Sequence, residues 1–169
     1  MAINLKNLDS FGGFSIGDST IVDSDSNIKN VNTLEVRNTH YTDSHSQHFI
    51  LRGLNTATLS LDTSSTSIFI PSNTISFITA NVIAVAEAGN GVLTMKLESA
   101  VSTNATGALT ELSTMETIIR DDVPAAESWT ITPFTTGALN RFSYNTVKSG
   151  SNIAVKWFVY VQVATIDWS

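Results

Sequence analysis

The sequence predicts an all-β fold: an antiparallel β-sandwich or jelly-roll-like domain preceded by a segment of short strands. Three observations carry that expectation. The stretch "IAVKWFVYVQVATI" (153–166) alternates with the two-residue period of a strand. Ile153, Val155, Trp157, Val159, Val161 and Val163 share a uniformly apolar face, while Ala154, Lys156, Phe158, Tyr160, Gln162 and Ala164 share a mixed one. The runs "TISFITANVIAVAEA" (74–88) and "VLTMKLESAV" (92–101) meet at Gly89, Asn90 and Gly91, residues that accept positive φ in a hairpin. Serine and threonine make up about a quarter of the chain, and threonine beside valine, isoleucine and aromatics suits pleated strands.

Residues 1–66 carry only short apolar groups set among polar ones: Ile21-Val22, Ile28, Val31, Leu34, Val36, then Ile50-Leu51, Leu59 and Leu61. No stretch there holds enough adjacent apolar residues for a core of its own, and such segments gain stability by packing against copies of themselves. Ile21, Val22, Ile28, Val31, Leu34 and Val36 are therefore the candidate oligomerisation residues, and Ser60–Ser67 reads as a linker into a sandwich at 67–169.

In that second region "SIFIP" is a short run ended by Pro71, since proline cannot donate within a central strand. "LTELSTMETIIR" (109–120) is ambiguous. Leu109, Leu112, Met115 and Ile118 fit helical spacing, but strands on both sides favour a strand. "DDVPAAES" turns around Pro124, "SWTITPF" (128–134) is a strand closed by Pro133, "RFSYNTV" (141–147) alternates, and "KSGSN" (148–152) turns the chain. Trp129, Trp157, Phe158 and Tyr160 belong to a core or a subunit interface. Several strands joined by short turns make a sandwich.

Composition narrows the function. At 169 residues about 70% of the unfolded surface can be buried, so the core needs no staples. The absence of cysteine excludes disulfides, a thiol nucleophile and thiolate metal sites. A net charge of −6, with charged residues at 14%, makes a poor partner for nucleic acid. No run is apolar enough to insert in a membrane. The N-terminal "MAINLKNLDSFGGFS" lacks the apolar stretch of a signal peptide, so export by the secretory route is not expected.

Candidate chemistry is sparse, and no cofactor is expected. In "STIVDSDSNIKN" (19–30), Asp23, Asp25 and Asn27 alternate as in a calcium loop, but the sixth and twelfth positions from Asp23 hold Ile28 and Leu34 in place of glycine and glutamate. A turn between short strands explains the stretch better. His40, His45 and His48 fall within nine residues and are candidate metal ligands, although their spacing fits no standard zinc pattern and a solvated polar loop is the alternative. No Gly-x-Ser-x-Gly elbow is present, and "FGGFSIG" lacks a P-loop lysine. Asp121-Asp122 sit in a predicted turn, not as carboxylates converging in a cleft. The expectation is a non-enzymatic protein. Tyr41, Tyr144 and Trp168, near loops or the terminus, are candidate ligand-binding aromatics for stacking on sugar rings.

"STIVDSDSNIKNVNTLEVRN" resembles a segment that recurs in fibre and spike proteins of tailed bacteriophages. There a short strand ending in valine or isoleucine plus Asp-Ser precedes Asn, an apolar residue, Asn and a second short strand. The matching positions are Ile21, Val22, Asp23, Ser24, Asn27, Ile28, Asn30 and Val31. From about Pro71, "MKLESAV", "TIIRDDVPAAESWTI" and "AVKWFVYVQV" resemble small β domains of structural proteins in phages infecting cyanobacteria. The resemblance implies a virion structural protein, made in the host cytoplasm: a short fibre, spike, decoration or tail-tip component. It also implies a homotrimer, with residues 1–66 as attachment and trimerisation segment, other virion proteins as partners and a host-surface glycan as candidate ligand. The chain departs from the fibre pattern in having one copy of the segment and no collagen-like or heptad stalk. A carbohydrate-binding module is the alternative.

Overall fold

The computed structural model describes residues 14–16, 19–22, 28, 33–61, 67–135 and 137–169. The chain divides into two compact units, Met1–Asn32 and Thr33–Ser169. In the first, β1 (Phe14–Ile16) and β2 (Ser19–Val22) pair antiparallel, and Val22 bridges Ile28. Asp23, Asp25 and Asn27 of the calcium-like stretch lie outside the described residues, as does Val31.

The second unit holds β3 (Thr33–Arg37), β4 (Ser44–Leu54), β5 (Ala57–Thr58), β6 (Ile68–Phe69), β7 (Thr74–Ala86), β8 (Val92–Thr103), β9 (Leu109–Asp121), β10 (Ser128–Thr135), β11 (Arg141–Ser149) and β12 (Val155–Asp167). Two sheets contain them. The larger has the order β3-β4-β12-β7-β8-β9, and the smaller the order β10-β11-β5 with β6 also on β11. Every ladder is antiparallel. The fold is the expected antiparallel all-β sandwich.

β12 is the axis of the large sheet because its alternation is the cleanest. Val155, Trp157, Val159, Val161 and Val163 are buried while every residue between them is exposed. The β7–β8 hairpin forms at the expected place, with Gly89 at φ +72° and the Ala86 N–H donating to Gly91 O at 2.9 Å. The small sheet supplies Trp129, Ile131, Phe142 and Tyr144 to the core, the last two rings meeting edge to face with centroids 5.2 Å apart.

Two local expectations need revision, while the strand expected at 109–120 forms. Ser67 is not where the sandwich begins: β4 lies between β3 and β12 and pairs with β12 from Leu54↔Lys156 to Ser44↔Ile166. Its two buried apolar residues, Phe49 and Leu51, suffice because β12 brings an apolar face of its own. Pro133 does not close β10 but lies inside it, opposite Tyr144, and is tolerated because β10 has one neighbouring strand, leaving one side without a ladder to donate to. The helix-like spacing at 109–120 belongs to a bulged strand. The β8–β9 register passes over Leu112 and Ile119, and two inserted residues break the two-residue period.

Asn55 fastens the turn after β4 to β12. It takes φ +55°, and its Oδ1 accepts from Val155 N–H at 2.8 Å. Its own N–H donates to Val155 O at 2.7 Å, while its carbonyl accepts from the Trp157 indole and the Thr146 hydroxyl, each at 2.9 Å.

Candidate interaction surface

Among the described residues the large sheet is covered on one face only. Pleating sends successive residues to opposite sides, so the register fixes which side chains share the uncovered face. Across β4, β12, β7 and β8 run the rows Leu54, Lys156, Val85, Val92; then Arg52, Phe158, Ile83, Thr94; then Ile50, Tyr160, Asn81, Lys96. Below them a polar row of His48, Gln162, Thr79 and Glu98 separates the first apolar cluster from a second. That second cluster, Val36, Phe77, Ile75, Ala164 and Ile166, lines an open groove of about 430 Å³ together with Ser44 and Ser46. Ile50, Ile75, Phe77, Ile83 and Ile166 are each about half exposed.

Charge on this face is opposite in sign to the chain as a whole. Of nine lysines and arginines in a chain of net charge −6, Arg52, Lys96, Arg120 and Lys156 stand here. Its carboxylates among the described residues are Glu98 and, just past the end of β9, Asp122. Lys96 pairs with Glu98 at 2.8 Å, and Arg120 pairs with Asp122. Arg52 and Lys156, on neighbouring strands, have no ion-pair partner among the described residues.

The β9 edge overhangs the sandwich. Glu111, Glu116 and Asp121 oppose the buried Val101, Leu97 and Leu93, so they face the side where the second sheet lies, yet all three are exposed. Leu112, Met115, Ile118 and Ile119 are exposed by 56–70% on the same strand. This is a thirteen-residue edge with large apolar side chains and, among the described residues, no strand paired to its outer side. Such an edge is a template for association.

The histidines are not brought together. His45 and His48 are an odd number of residues apart on β4 and face opposite sides, while His40 is in the 38–43 turn with its backbone N–H on Asn38 Oδ1. His45 lies on the side where Gln47 donates to Glu35 at 2.8 Å and Glu35 accepts from Arg37 at 2.9 Å. The Gln47 hydrogen bond, helped by Arg37 and His45, holds the Glu35 carboxyl below its usual range. His48 Nδ1 is 2.6 Å from the Tyr160 hydroxyl and the rings stack. No group of three potential metal ligands converges among the described residues.

Of the three candidate aromatics, Tyr144 is removed from the surface. It is wholly buried beside Phe142, and burial, with the Glu111 carboxylate nearby, pushes its phenol pKa up. Its alternating neighbours hid this, because β11 buries Phe142, Ser143 and Tyr144 in succession. Tyr41 and Trp168 are exposed by 65% and 51% and lie at one end of the sheet, since Asp167 N–H donates to Asp43 O and Trp168 N–H to Asn73 O. Of the candidate oligomerisation residues, Leu34 and Val36 sit exposed on β3 in the second unit; Ile21 and Val22 belong to β2 of the first unit, where Ile28 is exposed. Asp121 ends β9 and Asp122 follows it, both exposed at the surface.

The residues that sequence reasoning passed over are the outward ones of β7. "TISFITANVIAVA" is apolar at almost every position, the signature of a strand meant for cover on both faces.

No family model and no curated protein matches the chain. A solved structure, the tailspike protein gp49 of Acinetobacter baumannii bacteriophage Fri1, a capsular polysaccharide depolymerase, is similar at 14% identity and a TM-score of 0.39 over 79% of this chain. The match spans 19% of that protein's length. Among the described residues no helix is long and apolar enough to cross a membrane.

Proposed function

We propose that the chain is a non-enzymatic structural protein of a tailed-phage virion, of the short fibre, spike, decoration or tail-tip kind. It assembles as a homotrimer with other virion proteins as neighbours. The observation that carries this reading is the open outer face of the large sheet with its bare β9 edge, more apolar surface than a free monomer ordinarily exposes. The segment around Ile21–Val31, which resembles those of phage fibres, is the attachment and trimerisation element, with Leu34 and Val36 continuing it on β3. Light scattering on the full chain tests it. The expected mass is three times 18.2 kDa, falling when Val22→Asp and Ile28→Asp are combined. A trimer unchanged by that pair removes the role assigned to the opening segment, and a monomer sinks the assembly reading.

A carbohydrate-binding module is the second reading, favoured by the position of Tyr41 and Trp168 at one end of the sheet. It predicts glycan-array binding lost in Trp168→Ala. Release of reducing ends from a host polysaccharide would refute the non-enzymatic assignment.

A further inference from the structure

The second unit exposes two patches of opposite character, and each supplies what the other lacks. The first is the upper half of the outer face, where Ile50, Leu54, Ile83, Phe158 and Tyr160 surround the unpaired cations Arg52 and Lys156. The second is the β9 edge, with Glu111, Glu116, Ile118 and Asp121 on the side of the second sheet, Met115 on the outer face, and Leu112 and Ile119 at the two bulges. We propose that these patches bind each other between copies of this chain, the β9 edge of one copy seated on the Arg52/Phe158 half of the next.

Three arguments select a second copy as the occupant. The charges match: an edge bearing three carboxylates meets a face where Arg52 and Lys156, without ion-pair partners among the described residues, stand on neighbouring strands, in a chain of net charge −6. The areas match as well. The nine apolar side chains are exposed by between 37% and 70%. At about 200 Å² for a large apolar residue, the two patches offer on the order of 1,000 Å² before backbone and charged rim are added, which approaches a stable interface. Third, one contact covers both liabilities at once, the bare edge and the apolar face. Because the patches differ, the contact is head-to-tail, and it closes into a ring where the rotation between copies permits. The inference rests on the assembly reading above, and it assigns to the sandwich itself a contact that the sequence placed in the opening segment.

Charge reversal on the full-length chain tests it. Arg52→Glu with Lys156→Glu, and separately Glu111→Lys with Glu116→Lys, are each expected to weaken association by about tenfold or more, because two attractive contacts become repulsive. The four substitutions in one chain are expected to restore the native mass by light scattering, which an interface of β9 with its own copy would not do. Circular dichroism and melting check that each variant is folded. Should the variant chains be poorly folded, mixing the two singly reversed proteins offers no rescue, so Phe158→Ser and Met115→Ser serve as charge-neutral probes, each expected to lower the association. An oligomer indifferent to both reversals and to both serine variants overturns this contact while leaving the assembly reading standing. A monomeric wild-type chain overturns both. Association lost in the singly reversed chains but not restored in the quadruple one overturns the head-to-tail pairing.

Discussion

Replacing Asn55 by alanine removes one side-chain acceptor and leaves a strained backbone behind. The Val155 N–H, bonded to Asn55 Oδ1 at 2.8 Å, loses its partner at the start of the central strand. A part-buried donor left unsatisfied costs about 1–3 kcal/mol. The residue also holds φ +55°, where asparagine is tolerated but a plain Cβ adds roughly 1 kcal/mol. The sum is about 3 kcal/mol, which for a chain of this size lowers the melting temperature by roughly 6–12 °C. Asn55→Gly separates the two contributions: it loses the acceptor but relaxes the backbone, so it should fall between wild type and Asn55→Ala. Asn55→Asp keeps an acceptor and should stay within about 1 kcal/mol of wild type. Urea unfolding followed by tryptophan fluorescence reads all three, since Trp157 donates to the same residue's carbonyl. Alanine and glycine variants both as stable as wild type would refute the latch.

Glu127 makes stability depend on acid. Its carboxylate accepts from the Ser151 hydroxyl and from the Trp129 indole at 2.6 Å, with Lys148 3.8 Å away, and the side chain is 1% exposed. The Ser151 and Trp129 bonds hold its pKa below the usual 4.5. A carboxyl lowered on folding stabilises above its unfolded pKa, and that contribution disappears as pH falls from about 4.5 through the folded value. Glu127→Gln should therefore flatten the acid limb of a melting-temperature profile, and an unchanged slope would show that other carboxyls set it. Val82 and Ile83 are adjacent, yet 1% and 45% exposed. Val82→Ala should cost about 2 kcal/mol and Ile83→Ala less than about 1 kcal/mol in the dissociated chain, and equal losses would contradict the register. Zinc is expected to leave the melting point unchanged, because the three histidines are dispersed, whereas a rise would mean that imidazoles from separate copies meet.

The sandwich was readable where one face of a strand is buried and the other wet, as in β12 and the β7–β8 hairpin. It was less readable where tertiary context supplies what the local sequence lacks. β4 reads as polar from Ser44 to His48, and it enters the sheet because β12 offers it a complete ladder. β9 mimics a helix because two bulges reset its alternation at Leu112 and Ile119. Tyr144 reads as a loop aromatic because its neighbours are polar, but Ser143 is buried too, with its hydroxyl donating to Leu59 O at 2.8 Å. The histidine cluster illustrates the reverse error. Closeness in sequence becomes separation in space when the residues lie on a strand at odd spacing.

The same geometry explains why the surface matters more than any single side chain in it. A sheet of six strands backed by a smaller one of four leaves strand length uncovered at both ends of the order β3-β4-β12-β7-β8-β9. At β3 one face of the exposed ground is handled by polar chemistry, through the Arg37–Glu35–Gln47 chain of hydrogen bonds, while Leu34 and Val36 stand exposed on the other. At β9 it is not: the overhang keeps isoleucine, leucine and methionine at positions where lysine or proline would guard a free edge. β7 repeats the pattern with Ile75, Phe77 and Ile83 on a face with no second layer among the described residues. Exposed apolar side chains at both ends follow if each end meets protein, β3 through Leu34 and Val36 and β9 through its overhang.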